Sequence, residues 1–418
     1  MSQKIINPDH RSFVQLAYII EKFPSPTEYF ILNEIIELEK HGVELNLLVL
    51  RKQKKYLNLK EIKDLKSMII YLPRIYYYFP FISFFISPSS VFLPKSIGIL
   101  LSILKRYSYN MKVIRNYFIS LFFTRKLKSK PISHIHAHFA FVSSDIALIL
   151  SKLMGIKYSL TAHANDIYAK NDTIKLKIRE ASFIITCTKY NRNYLNKLTS
   201  FNYEGKIHTV YHGIDISKWT PDIHHKRSDS NVIHLLSIAR LVEKKGLIYL
   251  LEAVNVLIKN GTKVRSTIIG EGPLKKQLEN YIDDNKLNDF IRIHDFTSQD
   301  EIKKHYLNAD IFVLPCIIAK NGDMDGLPNV IAESLAMGVP VVTTNISAIP
   351  ELIENENTGL LVPEKNALAI VDAVLKLSYN PELYRNIALN GKVKVKTGFS
   401  LLKSNQHIMH LFENKDFK

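Results

Sequence analysis

Two carboxylates eight residues apart, Asp325 and Glu333, stand in the run Gly322-Asp323-Met324-Asp325-Gly326-Leu327-Pro328-Asn329-Val330-Ile331-Ala332-Glu333. Pro328 suits a first helical turn, Ile331, Leu335 and Ala336 keep helical spacing, and Gly338-Val339-Pro340 stops the pattern. The spacing predicts a short helix from about Pro328 to Met337, entered by a glycine loop and left by a strand from Pro340 to Thr344. One carboxylate then sits in the loop and the other near mid-helix, roughly 8 Å or more apart along the axis. Such a pair can grip a ligand at two points, and the helix N-terminus offers free N–H groups and a positive dipole end to a phosphate. Sugar hydroxyls, ribose hydroxyls and a diphosphate could share this one place.

Cations are expected where that chemistry needs them. Arg240 and Lys245 lie in the loop between a predicted strand, Val232 to Ile238, and a predicted helix, Leu247 to Lys259. Such a loop ends at the C-terminal edge of a parallel sheet, where anions bind. A second loop, Gly270-Glu271-Gly272-Pro273, follows a strand from Lys263 to Ile269 and precedes a helix from Leu274. Gly270 and Gly272 would let a nucleotide come close to the backbone. Strand Phe290 to His294, helix Ser298 to Asn308 and strand Ile311 to Leu314 then deliver the chain to Asp325.

The N-terminal half reads as a βαβ opening. Strand Phe13 to Ile19 leads to Ser25, Pro26 and Glu28, which together make a capping box for a helix from Pro26 to Lys40, and strand Val43 to Leu50 follows. No Gly-x-Gly loop follows the first strand, so this half is not expected to bind the nucleotide. Later, Ile132 to Phe139 reads as a strand whose alternation puts His134, His136 and His138 on one face, a metal-ligand arrangement or a structural one. Helix Val142 to Leu153, strand Lys157 to Thr161, the loop carrying His163 and Asp166, strand Ser182 to Thr186 and strand Ile207 to Tyr211 complete the half. Polar, Pro-marked residues from Trp219 to Ser230 read as an interdomain linker.

The stretch Gly-Asp-x-Asp-Gly-Leu-Pro-Asn-Val-x-x-Glu resembles the acidic-x7-Glu signature of retaining glycosyltransferases of family four, in the branch that builds bacterial exopolysaccharide and colanic acid. The first acid there is usually Glu; here it is Asp325, one methylene shorter. Arg240 and Lys245-Gly246 resemble the family's Arg-x-x-x-x-Lys-Gly. The run Thr161-Ala162-His163-Ala164-x-Asp166-Ile167-Tyr168 is similar to its Thr-x-His-Gly-x-Asp-Ile loop, with Ala164 for Gly. The passage Phe23-Pro24-Ser25-x-Thr27-Glu28-x-Phe30 resembles the acceptor-side loop, which leaves Glu28 as a helix cap or an acceptor contact. The His-x-His-Phe ending at Phe139 matches a strand end for which no metal is implied.

The resemblance implies an α/β chain of the GT-B fold, with two Rossmann-like doubly wound domains facing a cleft. Their expected bounds are 1–221 for the acceptor domain, with a basic aromatic insert at about 51–130, and 222–395 for the nucleotide-sugar domain, with 396–418 a helix crossing back to the first. It implies a hexose moved from a UDP- or GDP-sugar to a saccharide or lipid-linked acceptor, without metal or cofactor. Arg240 and Lys245 would contact the diphosphate and Glu333 the ribose. Gly270 and Gly272 would face the nucleotide, while Asp325 with Gly326, Leu327, Pro328 and Asn329 would hold the sugar. His163 would touch the sugar from the other domain, and Glu28, His138 and Asp166 fall on the acceptor side. A non-catalytic scaffold of the same fold or a sugar-nucleotide epimerase are the alternatives.

Composition agrees. At 418 residues and 46% apolar, the chain is long enough for two domains with substantial cores. Cys187 and Cys316 lack a partner motif, and Met1 to Arg11 lacks a signal-peptide core, so a reducing, cytoplasmic setting is expected. Of the formal net charge of +17, residues 51–130 carry +15, from 17 Lys and Arg against Glu61 and Asp64. The same segment is rich in Tyr and Phe, a combination suited to an anionic membrane surface or to core helices with a solvated basic face. Twenty uncharged residues from Ile75 to Pro94 are interrupted by Pro80 and Pro88, which argues against a spanning helix. No nucleic-acid-binding motif accompanies the charge, so nucleic acid is not an expected partner.

Overall fold

The computed structural model describes residues 15–414 apart from 26–27, 55–56, 58–59, 79–93, 107–110, 169–172 and 220–230. Contacts divide the chain into two compact units. One comprises Met1–Thr186, Arg192–Val210 and Asn405–Lys418; the other comprises Cys187–Asn191 and Tyr211–Ser404. The expected linker falls almost wholly in 220–230, outside the described residues.

The first unit holds β1 (Gln15–Phe23), β2 (Glu44–Lys52), β3 (Met68–Tyr71), β4 (His134–His138), β5 (Tyr158–Ala162), β6 (Ile184–Thr186) and β7 (Ile207–Thr209). They form one sheet in the order β3-β2-β1-β4-β5-β6-β7, with every pair parallel. Both faces are covered, and strand alternation shares the side chains between two cores. Ala17, Ile19, Leu48, Ile135 and Ala137 enter one; Leu16, Tyr18, Ile20, Leu47 and Val49 enter the other, together with Phe412. His134, His136 and His138 share a face, as the alternation predicts: the rings of His134 and His136 lie 5.6 and 5.3 Å from Phe412, and those of His136 and His138 lie 4.9 and 5.5 Å from Tyr18.

The second unit holds β8 (Ile233–Ile238), β9 (Val264–Ile269), β10 (Ile291–His294), β11 (Ile311–Leu314), β12 (Val341–Thr344) and β13 (Leu360–Val362). The order is β10-β9-β8-β11-β12-β13, again all parallel. This is the doubly wound order in which the first and fourth strands are neighbours and the chain reverses direction across the sheet. The crevice beyond their carboxyl ends is where such sheets bind ligands. The helix Leu247–Lys259 buries Leu247, Leu250, Leu251, Val254 and Leu257, the i, i+3, i+4, i+7 stripe of a helix lying on a sheet.

Three expectations need correction. The first helix is described from Tyr29, with Glu28 as its N-cap residue making no side-chain capping bond of its own, rather than as the third residue after the cap, while Pro26 and Thr27 lie outside the described residues. The helix after the glycine loop is Asn329–Met337, with Pro328 as N-cap residue rather than the first helical one. The short edge strand β3 lies inside the segment read as an insert.

The aromatic part of that basic segment is core where it is described. Tyr117, Phe118, Phe122 and Phe123, on the helix Met111–Leu127, are buried, and Tyr76 packs on Phe122 with ring centroids 4.7 Å apart. Ile75, Ile97 and Leu101 are exposed. Most of the uncharged run from Ile75 to Pro94 lies outside the described residues; among the described ones, no helix is long and apolar enough to cross a membrane.

Candidate active site

The second unit gathers its charged loops at the carboxyl ends of β8 and β11. After β8 the chain makes a single helical turn, Glu243–Lys245, and leaves it through Gly246 at φ 63°. A side chain at Gly246 would put its Cβ 2.0 Å from the carbonyl oxygen of Pro315, so only glycine lets this loop lie against the end of β11. Asp325 is thereby brought to the lysines. Its Oδ2 lies 2.6 Å from Lys245 Nζ, and its Oδ1 lies 3.5 Å from Lys244 Nζ, which also meets Asp323 at 3.0 Å. Cys316 Sγ donates to Asp325 Oδ2 at 3.6 Å.

Burial opposes ionisation of Asp325, but Lys245 and Lys244 outweigh it and hold the carboxyl below its usual value. For Lys245 burial again works against the charge, and Asp325 outweighs it, leaving the ammonium raised. Both groups are therefore charged at neutral pH. Arg240 is exposed and close enough for its charge to be felt at Lys245.

The sequence reading assigned Lys245 to a diphosphate and Asp325 to a sugar; in the structure the two hold each other. It also missed Lys244, Asp323 and Cys316. The adjacent lysines of Glu243-Lys244-Lys245 were the available signal for the first, and nothing in the spacing pointed to the other two.

Glu333 lies one turn into its helix, half-buried. Burial pushes its carboxyl up to about 7, partly offset by Tyr306, whose hydroxyl lies 3.4 Å from Glu333 Oε2 and 3.0 Å from the carbonyl of Val330. Tyr306 is fully buried and was not singled out in the sequence. Leu327, Pro328 and Asn329 line a small, partly open pocket together with Ala332, Tyr211, His212 and Phe399. The glycines of the next loop serve the packing of loops: a Cβ at Gly270 would sit 1.8 Å from the carbonyl oxygen of Ala239, and one at Gly272 2.5 Å from that of Leu241. What they admit here is the neighbouring backbone, which keeps the 270–273 loop beside Arg240.

In the first unit, Glu28, His138 and His163 come together, and both Asp166 carboxylate oxygens accept backbone amides. Asp166 is fully buried; the His163 amide donates to one carboxylate oxygen at 2.6 Å and the Ala140 amide donates to the other. It shapes the loops rather than offering itself to an acceptor, and burial raises its carboxyl to about 7 against the pull of those amides. His138 is also fully covered, with Nε2 3.2 Å from Glu34 Oε1. Its ring stacks on His163 at 6.0 Å, and His163 in turn packs against Phe139 at 4.4 Å and Phe30 at 5.1 Å. Glu28 is half-buried, its carboxyl raised by burial against the field of Lys22 and His138.

Ligand atoms of Glu34, His136 and His138 lie within 4.8 Å of one another, close enough to consider a metal. Most of their bonds are already spent, however: Glu34 Oε1 accepts from Tyr18 at 2.9 Å and meets His138 Nε2, which leaves only His138 Nδ1 of this set buried without a hydrogen bond. His136 uses both ring nitrogens, on Ser159 at 2.8 Å and Thr161 at 2.9 Å, and burial with two neighbouring histidines keeps it neutral. His134, the third histidine of the strand, bonds Ser159 at 2.8 Å and stacks on Phe183. The donor set fits a hydrogen-bonded core better than a metal centre.

Comparison with known proteins agrees with the fold. The domain model described as Glycosyltransferase Family 4 matches residues 27–218, and that described as Glycosyl transferases group 1 matches residues 221–394. The chain is 42% identical to the amylovoran biosynthesis glycosyltransferase AmsK of Erwinia amylovora over 43% of its own length and 42% of that protein's. It is 32% identical to the putative colanic acid biosynthesis glycosyltransferase WcaL of Escherichia coli over 50% of its length and 51% of that protein's. The matched region thus spans about half the length of these curated relatives, or less. HepE of Anabaena, solved in complex with UDP, superposes with a TM-score of 0.69 at 14% identity, covering 95% of this chain and 99% of that one. One domain model thus matches each half of the chain, Glycosyltransferase Family 4 the first and Glycosyl transferases group 1 the second, and the chain shares the GT-B fold of the solved glycosyltransferase structures.

Proposed function

We propose that this protein is a retaining glycosyltransferase that moves a hexose from a UDP- or GDP-sugar to a saccharide or lipid-linked saccharide in the assembly of a bacterial surface polysaccharide. The observation that carries this reading is the meeting of Lys245, Asp325 and Arg240 at the crevice between β8 and β11, with Glu333 on the helix that follows. The relatives named for amylovoran and colanic acid biosynthesis support the pathway class, and the UDP and UDP-glucose in the HepE structures support the donor class.

Breaking the bond between the anomeric carbon and the diphosphate oxygen leaves the electron pair on that oxygen. Arg240 and Lys245 stabilise this growing charge more than they stabilise the ground state, and a preorganised donor of this kind contributes about 3 kcal/mol. The acceptor hydroxyl joins the anomeric carbon on the face the phosphate leaves, and its proton passes to the departing phosphate oxygen. Configuration is retained without a covalent sugar–enzyme bond. Two side-chain cations neutralise the diphosphate, so the chemistry calls for no metal. Glu333 accepts from the ribose hydroxyls, Asp325 and the backbone of Gly326 and Leu327 orient the sugar, and Pro328 and Asn329 close the pocket around it.

The first unit takes the acceptor, with the half-buried Glu28 as its contact. A lipid carrier would present that acceptor at the cytoplasmic face of an anionic membrane. The +15 charge of residues 51–130 and the exposed Ile75, Ile97 and Leu101 support such a surface.

A panel of UDP- and GDP-sugars tests the reading by thermal unfolding. The correct donor at a hundred times its dissociation constant adds about 3 kcal/mol. If no member of the panel raises the unfolding temperature, the donor class is wrong.

A further inference from the structure

We propose that Lys244 is a positioning residue of the donor site, the stand-in cation that keeps Asp325 compensated when Lys245 turns to an incoming diphosphate. This inference rests on the donor-site reading above and adds a residue that the motif does not assign. Asp325 divides its two oxygens between the two lysines, Oδ2 to Lys245 at 2.6 Å and Oδ1 to Lys244 at 3.5 Å. All three side chains are only 13–16% exposed.

If Lys245 is to grip a phosphate, it must loosen from Asp325. A carboxylate largely removed from water and stripped of its partner is costly, and here it would also face the negative charge that displaced it. Cys316 cannot take over, because a thiol at 3.6 Å is a weak neutral donor. Lys244 can, and it is held in place for that purpose. Its carbonyl accepts the Ile317 amide at 2.9 Å, the neighbouring Glu243 carboxylate accepts the Lys320 amide at 3.2 Å, and its ammonium rests on Asp323 at 3.0 Å. Asp323 is fixed in turn, its amide donating to Asn321 Oδ1 at 2.9 Å and its carbonyl accepting the Ala319 amide at 2.9 Å. One lysine is tied to both acidic loop residues while the other is paired to one oxygen only.

The experiment is a calorimetric titration of UDP and GDP into the full chain, with uridine and guanosine binding followed by saturation-transfer NMR as phosphate-free controls. K244M should weaken the better diphosphate by about tenfold and leave nucleoside binding unchanged, and K244R should restore affinity. In a D325N background, where no carboxylate can be stranded, adding K244M should cost less than about twofold, which is the coupling expected of two groups in one network. K244Q substitutes if K244M does not fold. Wild-type affinity in K244M overturns the proposal, and so does an equal loss in the D325N background, which would make Lys244 a phosphate ligand in its own right. A wild type that binds neither UDP nor GDP overturns the donor-site reading along with it.

Discussion

The two sheets follow the same order apart from a seventh strand in the first, and in each polar residues collect on loops beyond the carboxyl ends of central strands. These loops come after β4 and β5 in the first unit and after β8 and β11 in the second, yet their residues are used in opposite ways. In the first unit they are consumed by the backbone. Asp166 is taken by two amides, and the buried Lys177 by the carbonyls of Ala140 at 2.7 Å and Phe141 at 3.2 Å and by Asp145 at 2.8 Å. In the second unit Lys244, Lys245, Asp323 and Asp325 are paired mainly with one another, on loops whose course is set by Gly246 and Gly270. Side chains that hold one another can exchange a partner for a ligand at little cost to the fold; those that satisfy buried amides cannot. A topological switch point of this kind is a site only where its charges are not already spent.

Removing core and removing site should therefore separate cleanly. Phe412 is 3% exposed and packs on His134, His136 and Phe183, so Phe412→Ala should cost the first unit about 4 kcal/mol in urea unfolding, with UDP or GDP affinity unchanged. Loss of nucleotide affinity in that variant would break the comparison. Lys245→Ala should behave in the converse way. Turnover should drop about 10²- to 10³-fold, while Asp325 keeps Lys244 and the stability loss stays below the roughly 3 to 5 kcal/mol of a buried carboxylate left without a partner. Initial rates and thermal melts on one preparation measure both, and near-normal turnover would remove Lys245 from the chemistry.

The strands were legible because parallel central strands write themselves as apolar runs, as Ile233–Ile238 and Ile311–Leu314 do, each followed by a glycine- or charge-bearing loop, whereas their doubly wound arrangement was implied by the family resemblance. β3 was not legible: four residues at a sheet edge carry too little pattern, and the aromatic, basic sequence around them pointed elsewhere. The start of the first helix was misread because Ser25, Pro26 and Glu28 satisfy the capping-box spacing locally, whereas the structure places Glu28 itself at the N-cap. In the site, Arg240, Lys245, Asp325 and Glu333 could be named from spacing, but not the Lys245–Asp325 pair. That pair is made by two loops 80 residues apart that meet only because Gly246 admits Pro315. Asp166 looked available because sequence shows a carboxylate and not the amides that surround it.

Asp166→Ala sharpens the first half of the comparison. Leaving the Ala140 and His163 amides without their acceptor should cost about 2 kcal/mol. The native carboxyl is raised to about 7 from 3.8, so the folded state holds an extra proton between those values, and the wild type loses stability as pH rises through that window. The variant has no such loss. Its deficit should therefore be larger at pH 5 than at pH 8 in denaturant titrations, and a deficit that does not fall over that range would mean the buried carboxyl is ionised throughout.

Glu333→Gln probes the second unit with the smallest expected effect. Its carboxyl, raised by burial from 4.5 to about 7, also makes the wild type less stable as pH climbs through that range, and the neutral amide removes the dependence. The variant should gain on the wild type from pH 5 to pH 8. Ligand affinity should move the other way, because a ribose hydroxyl donates better to an ionised carboxylate than to a carboxylic acid. Wild-type UDP or GDP affinity should thus rise between pH 6 and 8 more steeply than that of the glutamine variant, by at most about tenfold per unit. The nucleotide's own phosphate titrates equally in both proteins, so the difference in slope belongs to this one side chain. Equal slopes would place the ribose elsewhere and leave Glu333 as a helix residue that is merely half-buried.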